Sequence, residues 1–308
     1  MIFHGLDFYN LYIVVGVAMK TGLVLEGGAM RGMYTAGVLD VFMENNINFD
    51  KIAGVSAGAI FGVNFLSRQN GRVIRYNMRF NKEKDYIGLL PLIREGNIVN
   101  TDYAYRKVPR ELDVFDDEEY IKNAAETPFY AVVTNIKTGC AEYKRIYSVF
   151  RQMDTLRASG SMPFLAKPVE INGKKYLDGA VADSIPFAFL RREGCEKLVA
   201  VLTRDINFRK KSVSPLMTKL CYGKYKEFSK TLLNRHNSYN SQTAEIKRLE
   251  ESGKAFVIRP SKPIEIGRIE KDPDKLKAVY TLGRKDAESL ITDLKSFLES
   301  GKTEENYG

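Results

Sequence analysis

A serine between two glycines is the residue of this chain best placed to act as a nucleophile. The segment Gly54-Val55-Ser56-Ala57-Gly58 follows an apolar stretch, 49–53, and precedes a helix-forming stretch, 57–66. A serine raised on a strand-to-helix turn exposes its hydroxyl, and the flanking glycines let the chain pass close to neighbouring backbone. The same five-residue pattern occurs in many unrelated proteins, so a plain small-residue turn is an equal alternative when the segment is taken alone.

A glycine-rich turn lies about two dozen residues upstream. An apolar strand from Gly22 runs into Gly27-Gly28-Ala29-Met30-Arg31-Gly32, and residues 33–44 have apolar side chains at helical spacing. A strand, a glycine turn and a helix N-terminus direct several unpaired backbone N–H groups to one point, so this turn can hold an anion.

The choice of anion follows from what the turn lacks. A phosphate-binding P-loop ends in Gly-Lys-Ser/Thr, which is missing here, so nucleoside triphosphate binding is not expected. A dinucleotide fingerprint nearly fits Gly27, Ala29 and Gly32, with Asp50 as the acidic residue, but it leaves the serine at the next strand end unexplained. An oxyanion hole built from the backbone of Gly27, Gly28 and Ala29 explains both turns.

A third element supplies a carboxylate. Two short alternating runs, 169–171 and 174–176, are joined by Asn172-Gly173, the strongest short hairpin signal, and lead into Asp178-Gly179-Ala180. Asp-Gly alone is usually only a turn. In the company of Ser56 and the glycine turn, Asp178 becomes a candidate base.

Histidine usage favours a two-residue mechanism. The chain contains only His4, in an N-terminal extension, and His236, in a basic polar stretch. A Ser-His-Asp triad needs a histidine near both partners, and neither position suits this role. We therefore predict a dyad in which Asp178 accepts the Ser56 proton directly, with no histidine between them.

These motifs, in this order, resemble the patatin-like phospholipases, specifically the bacterial branch. The segments 158–164 (Ala-Ser-Gly-Ser-Met-Pro-Phe) and 184–186 (Ser-Ile-Pro) are similar to the same family. The similarity is good over residues 22–203 and continues more weakly to about residue 300. Each piece is common, whereas the combination is specific.

The resemblance implies an acyl hydrolase that cleaves lipid esters with a Ser-Asp dyad and without a metal or other cofactor. Ser56 would be the nucleophile, Asp178 the base, and the backbone of Gly27, Gly28 and Ala29 the oxyanion region. The family usually has glycine where this chain has Ala29. A methyl group restricts positive φ but leaves the N–H intact, so we expect an altered pocket rather than an inactive one.

The residues around these motifs have two further expected roles. Arg31 is a candidate for holding a phosphate head group or the developing negative charge, and an ion pair with a surface carboxylate is an equal alternative. Glu26 is expected to accept backbone N–H groups at a strand end and to have no catalytic role. Gly32, Gly54, Gly58, Gly179 and Ala180 support the turns.

The wider pattern predicts an α/β fold with a mainly parallel central sheet and helices on both faces. Strands are predicted at 129–135, 143–148, 198–203 and 255–258, and helices at 186–193 and 275–299. We divide the chain into an N-terminal extension (1–21), a patatin-like catalytic domain (22–203) and a basic, largely helical C-terminal region (204–303) that packs on it.

Composition agrees with a large globular chain in a reducing compartment. With 308 residues and 44% apolar content, the chain can bury a substantial core. The cysteines Cys140, Cys195 and Cys221 lack paired spacing, so neither a disulfide framework nor a zinc site is expected.

The apolar run 11–18 is too short to span a bilayer and no basic residue precedes it. Residues 1–18 are either disordered or an apolar arm, and we expect a cytoplasmic location.

Positive charge is concentrated in one region. Residues 204–259 contain thirteen Lys and Arg against five Asp and Glu, within a chain of formal net charge +9. The stretch from Lys219 to Arg235 interleaves basic and aromatic residues. It predicts either contact with an anionic membrane at the inner face, separate from the chemistry, or an ordinary solvated helix. Nucleic acid binding is not expected, because no nucleic-acid module accompanies the charge.

Two function classes therefore stay open. The first is a serine acyl hydrolase acting as a phospholipase A, lysophospholipase or esterase. The second is a lipid-binding or regulatory protein with the same fold and little turnover, which the alanine at position 29 motivates. Intact Ser56 and Asp178 favour the first, and no motif encodes the head group or acyl length.

Overall fold

Residues 19–80, 82–83 and 86–300, which the computed structural model describes, form an eight-stranded sheet with helices packed against it. The strands are β1 Thr21–Leu25, β2 Lys51–Val55, β3 Phe129–Asn135, β4 Ala141–Ile146, β5 Val169–Ile171, β6 Lys174–Asp178, β7 Lys197–Val201 and β8 Ala255–Ile258. The α-helices are α1 Gly32–Glu44, α2 Ala57–Leu66, α3 Arg72–Phe80, α4 Leu89–Glu95, α5 Asp117–Glu126, α6 Met153–Ser159, α7 Phe187–Arg192, α8 Pro215–Tyr222, α9 Lys226–Glu251 and α10 Pro273–Glu299, and a π-helix spans Tyr103–Leu112.

The sheet is mainly parallel. Strands β3, β2, β1, β7 and β8 lie side by side in that order and all pair in parallel. Strands β4 and β6 pair antiparallel with β3, and β5 pairs antiparallel with β6. The central parallel strands are buried almost throughout, which matches their continuous apolar sequences.

Helices cover both faces of this sheet. Alternate residues of a strand point to opposite faces: Leu23 and Leu25 of β1 belong to a core with residues of α1, α2 and α10, whereas Val24 packs with residues of α7 and α9. The predicted α/β fold, with a mainly parallel sheet between helices, is confirmed.

The C-terminal region contributes to this same framework. β8 extends the sheet by pairing with β7, and α10 crosses α1 closely. A Cβ at Gly37 would collide with the Tyr280 carbonyl oxygen, and one at Gly283 with the Tyr34 carbonyl oxygen, so the crossing requires both glycines. The domain boundary at residue 203 stays a prediction, and the apolar stretch within 1–18 lies outside the described residues.

Candidate active site

Ser56 stands on a strained turn between β2 and α2. Its backbone has φ 54° and ψ −122°, a region that non-glycine residues rarely adopt. A Cβ at Gly54 would lie 2.6 Å from the Gly58 carbonyl oxygen, and one at Gly58 would collide with the Leu25 carbonyl oxygen. Gly54 therefore allows the turn to close tightly on the start of α2, and Gly58 allows it to press against β1. Ser56 is 5% exposed.

A second serine holds this turn from outside. The Ser56 N–H donates to Ser159 Oγ at 2.9 Å, and the Ser159 hydroxyl donates to the Val132 carbonyl at 2.7 Å. Ser159 is fully buried at the end of α6. Its segment, 158–164, resembles the family, but the sequence predicts no role for Ser159, because nothing local shows which backbone group its hydroxyl meets.

The strand pairing explains how Asp178 reaches Ser56. One edge of β3 pairs with β4, along residues 129–134 of β3. The other edge of β3 pairs with two strands, with β2 along residues 129–132 and with β6 along residues 133–135. β2 runs parallel to β3 and β6 antiparallel, so their carboxyl ends meet. Asp178 ends β6 and Ser56 follows β2, which brings the two side chains together.

Both carboxylate oxygens of Asp178 are engaged. Oδ2 accepts the Ser56 hydroxyl at 2.8 Å, and Oδ1 accepts the Ala180 N–H at 2.8 Å. A Cβ at Gly179 would collide with the Val132 carbonyl, so glycine is needed for this turn to lie against β3. The Asn172-Gly173 hairpin that leads here is present as predicted, with positive φ at both residues.

Burial raises the pKa of Asp178 above its ordinary value. The positive charge of Arg235, the Ala180 N–H and the Ser56 hydroxyl oppose that rise. A carboxylate with a raised pKa is a stronger base than an exposed one, which suits it to accept a proton from a serine hydroxyl.

The glycine turn lies directly against Ser56. A Cβ at Gly27 would be 2.8 Å from Ser56 Cβ, and one at Gly28 would be 2.7 Å from Thr203 Oγ1. Within the described residues, the N–H groups of Gly27, Gly28 and Ala29 have no hydrogen-bond acceptor. Ala29 has φ 49° despite its methyl group, so this departure from glycine is accommodated with strain.

Gly32 begins α1 next to the start of α2, since a Cβ there would lie 2.8 Å from Ala57 Cβ. Glu26 accepts the Thr203 N–H at 2.7 Å, which confirms its predicted structural role, and its other oxygen accepts the Tyr239 hydroxyl at 2.9 Å.

Arg31 forms no ion pair with any described residue and its Nε is buried without a partner, which argues against the surface-pair alternative.

Ser56 lies between two cavities of opposite character. One, of about 140 Å³, is walled mainly by apolar side chains of α2, the π-helix and α6. The other, of about 430 Å³, is polar and is lined by the glycine turn, Asp178 and several cations. Ala29, Ser56, Met162 and Arg268 line both cavities.

Neither cavity is lined by a histidine from the described part of the chain. His236 lies on α9, where its Nδ1 is 2.9 Å from the Leu233 carbonyl oxygen of the same helix. His4 falls outside the described residues. Among the described residues, no group of three or more His, Cys, Asp or Glu side chains is arranged to hold a metal ion.

The basic stretch from Lys219 to Arg235 does not form one surface. Tyr222, Phe228 and Leu232 are buried together in the core instead of facing outward. The prediction that this stretch is separate from the chemistry is wrong for Arg235, whose Nε donates to the Ala180 carbonyl at 2.6 Å. Sequence alone could not separate this inward cation from the exposed lysines around it.

Comparison with known families identifies the chain. The model of the patatin-like phospholipases matches residues 23–191, more than half of the sequence. The chain belongs to the patatin-like phospholipase family. Residues 225–299 match a second model, a domain of unknown function called DUF6363. The family resemblance predicted from the motifs is confirmed.

Individual relatives share only part of their length with this patatin-like protein. It is 31% identical to the uncharacterized protein YjjU of Escherichia coli, over 60% of this chain and 52% of the relative. It is 28% identical to lysophospholipase NTE1 of Saccharomyces cerevisiae, over 64% of this chain and 12% of the relative. The chain thus spans about half of the first relative and a small part of the second.

Among solved structures, VipD from Legionella pneumophila is 13% identical to this patatin-like protein, with a TM-score of 0.44, and the match covers 90% of this chain and 67% of VipD. None of the helices in the described residues is both long and apolar enough to cross a bilayer.

Proposed function

We propose that this protein is a serine acyl hydrolase that cleaves the carboxylic ester of a lipid. One observation carries the proposal: the Ser56 hydroxyl donates to Asp178 at 2.8 Å, between an apolar cavity and a polar one. The apolar cavity suits an acyl chain, and the polar cavity suits the alcohol portion that leaves.

In the proposed reaction, Ser56 Oγ attacks the ester carbonyl carbon while Asp178 Oδ2 takes the hydroxyl proton. The carbonyl oxygen becomes an oxyanion and accepts the free N–H groups of the glycine turn at residues 27–29. Collapse of the tetrahedral intermediate breaks the ester C–O bond, and Asp178 returns its proton to the leaving alkoxide. Water then attacks the acyl carbonyl carbon while Asp178 takes a proton from it. The bond from that carbon to Ser56 Oγ breaks, which releases the fatty acid, and Asp178 returns the proton to Ser56 Oγ.

Labelling with a fluorophosphonate tests this proposal, because only an activated serine reacts rapidly. We expect the wild-type protein to label and to hydrolyse p-nitrophenyl butyrate, and Ser56→Ala to do neither while keeping its melting temperature. Asp178→Asn should lower kcat by about 10²–10⁴-fold, the usual contribution of a general base.

The same measurements judge the alternative. A lipid-binding or regulatory protein with little turnover predicts a wild type that labels no faster than Ser56→Ala. Labelling that survives in Ser56→Ala would refute Ser56 as the nucleophile. A panel of phospholipids, lysophospholipids and simple esters then separates phospholipase A, lysophospholipase and general esterase activity.

We further propose that α8 contacts an anionic membrane surface. Three large apolar side chains of this helix face outward: Leu216 is 67% exposed, Met217 48% and Leu220 72%. Lys219 and Lys224 are exposed beside them. The Tyr222 hydroxyl, at the end of α8, accepts the N–H of Phe164, a residue that lines the polar cavity. Contact at α8 would therefore bring the site to its lipid.

Vesicle sedimentation tests this contact. Each buried leucine contributes about 1.5–3 kcal/mol, so Leu216→Ser with Leu220→Ser should weaken binding to anionic vesicles by roughly tenfold or more. A matched pair, Leu89→Ser with Ile93→Ser, changes two exposed apolar residues of α4 instead. Equal binding by wild type and the α8 variant would refute the proposal, as would an equal loss in the α4 variant.

A further inference from the structure

The polar cavity beside Ser56 has an excess of positive charge. Two carboxylates line it, Glu26 and Asp178. Among the cations that line it, one comes from the glycine turn and four come from separate positions after residue 203: Arg31, Arg204, Lys210, Arg235 and Arg268. We call the part of the cavity lined by these five side chains the cationic chamber.

The carboxylates of this cavity are already engaged. Glu26 accepts the Thr203 N–H and the Tyr239 hydroxyl, and Asp178 accepts the Ser56 hydroxyl and the Ala180 N–H. Across the described residues, no member of the cationic chamber has a carboxylate oxygen within salt-bridge distance, which is 4.0 Å. The chamber therefore holds more positive charge than the carboxylates of the described residues neutralise.

Two of these cations have donors with nothing to bind. The Nε atoms of Arg31 and Arg204 are buried and have no hydrogen-bond partner among the described residues. Burial and the neighbouring charge of Arg235 lower the pKa of Lys210 to about 7, and burial with Arg204 lowers the pKa of Arg31 to about 10. An anion in the chamber would relieve the mutual repulsion of these cations.

We infer that the cationic chamber binds the phosphate of a lipid head group with net negative charge, and so favours anionic over zwitterionic lysophospholipids. The inference rests on the proposed hydrolase function and specifies its substrate. Guanidinium groups offer planar pairs of N–H donors that match phosphate oxygens. A choline or ammonium group on the same phosphate would be held close to these cations, which repel it.

The position of the chamber favours a lipid over free phosphate. Ser56 lines both the chamber and the apolar cavity, so an ester carbonyl at Ser56 can direct its acyl chain one way and its glycerophosphate the other. Arg268 also lines both cavities, at the boundary where the glycerol would lie.

Binding to the Ser56→Ala variant tests the inference without turnover. Isothermal titration would compare octanoyl lysophosphatidylglycerol, octanoyl lysophosphatidylcholine and inorganic phosphate; the short chain keeps both lysolipids monomeric, so membrane attraction plays no part. We expect the anionic lysolipid to bind about tenfold or more tightly than the zwitterionic one, because the chamber repels the choline that only the zwitterionic lysolipid carries. Inorganic phosphate alone should bind more weakly than either.

Single substitutions in the same background assign any preference to the chamber. Lys210→Gln and Arg268→Gln should each reduce the ratio of the two lysolipid affinities severalfold, whereas Lys277→Gln, an exposed cation of α10 that lines neither cavity, should leave it as in Ser56→Ala. Two independent variants guard against one that fails to fold.

Three results would overturn the inference. One is equal affinity for both lysolipids, and a second is a preference that persists in both chamber variants. The third is phosphate binding as tight as that of the anionic lysolipid, which would make the chamber a general anion site. Failure of the hydrolase proposal would look different: preferential binding by the chamber together with a wild type that cleaves no ester.

Discussion

Replacing Ser159 with alanine tests whether the strained serine turn is held from outside. The buried Ser159 hydroxyl accepts the Ser56 N–H at 2.9 Å and donates to Val132 at 2.7 Å. Alanine leaves the Ser56 N–H without a partner, and an unsatisfied buried group costs about 1–3 kcal/mol. The backbone of Ser56, at φ 54°, already costs a similar amount, about 1–3 kcal/mol. Loss of the restraint therefore lets the turn relax.

Two measurements separate stability from positioning. Each kcal/mol lost lowers the melting temperature of a chain of this size by roughly 2–4 °C, so Ser159→Ala should melt about 2–12 °C below wild type. Displacement of a reacting atom by about 1 Å costs on the order of 10²-fold in rate, so the fluorophosphonate labelling rate should fall by about 10- to 100-fold.

Ser67→Ala is the matched control. Ser67 is also a buried serine, and its hydroxyl donates to the Asn64 carbonyl at 3.2 Å and to Gln69 at 3.0 Å, at the far end of α2. This variant should lose stability without losing labelling rate. The positioning argument is refuted if Ser159→Ala melts lower than wild type yet labels as fast.

Two further predictions concern substrate and pH. Each methylene of a p-nitrophenyl ester that enters the apolar cavity contributes about 0.8 kcal/mol, so kcat/KM should rise about fourfold per carbon until the cavity is full; a flat profile from acetate to hexanoate would contradict the assignment of that cavity. Because the pKa of Lys210 is lowered to about 7, its charge is present at pH 6 and largely lost at pH 8. The charges that face it are those of Arg235, Glu26, Arg31 and Arg204, and the pKa of Arg31, about 10, lies above this range. The affinity for the anionic lysolipid, whose phosphodiester is ionised throughout, should therefore fall between pH 6 and 8, and Lys210→Gln should remove that dependence. An unchanged pH dependence in Lys210→Gln would refute Lys210 as its source.

The elements next to the site were predictable because their signals are local. Glycines mark the two strand-to-helix turns, and Asn172-Gly173 marks the hairpin, so the predicted strand 129–135 and helix 57–66 coincide with β3 and α2. The sequence predicts no helix or strand between residues 67 and 126. That segment contains α3, α4, α5 and a π-helix with Pro109 inside it, and a proline normally signals the end of a helix.

The Ser56–Asp178 contact could be predicted from the order of the motifs, but the hydrogen bond that holds Ser56 in place could not. Ser159 acts through one hydroxyl on one backbone N–H, an arrangement that depends on where α6 ends relative to β2. The cationic chamber could not be predicted from the sequence either. The charge excess of residues 204–259 is visible in the sequence, yet nothing there distinguishes Arg235, which faces the site, from Lys230, which pairs with Glu227 on the surface.

The family match and the site do not share the same boundaries. The motifs that define the reaction lie within residues 23–191, whereas four of the five cations in the chamber follow residue 203. The same later segment reaches back to the turns themselves, because the Tyr239 hydroxyl donates to Glu26 and Arg235 donates to the carbonyl of Ala180. A chain cut after residue 203 would keep every motif and lose these contacts, and it would also expose the edge of β7 that pairs with β8. On the proposed function, the segment shared with the family supplies the chemistry, and the segment that follows it selects the head group.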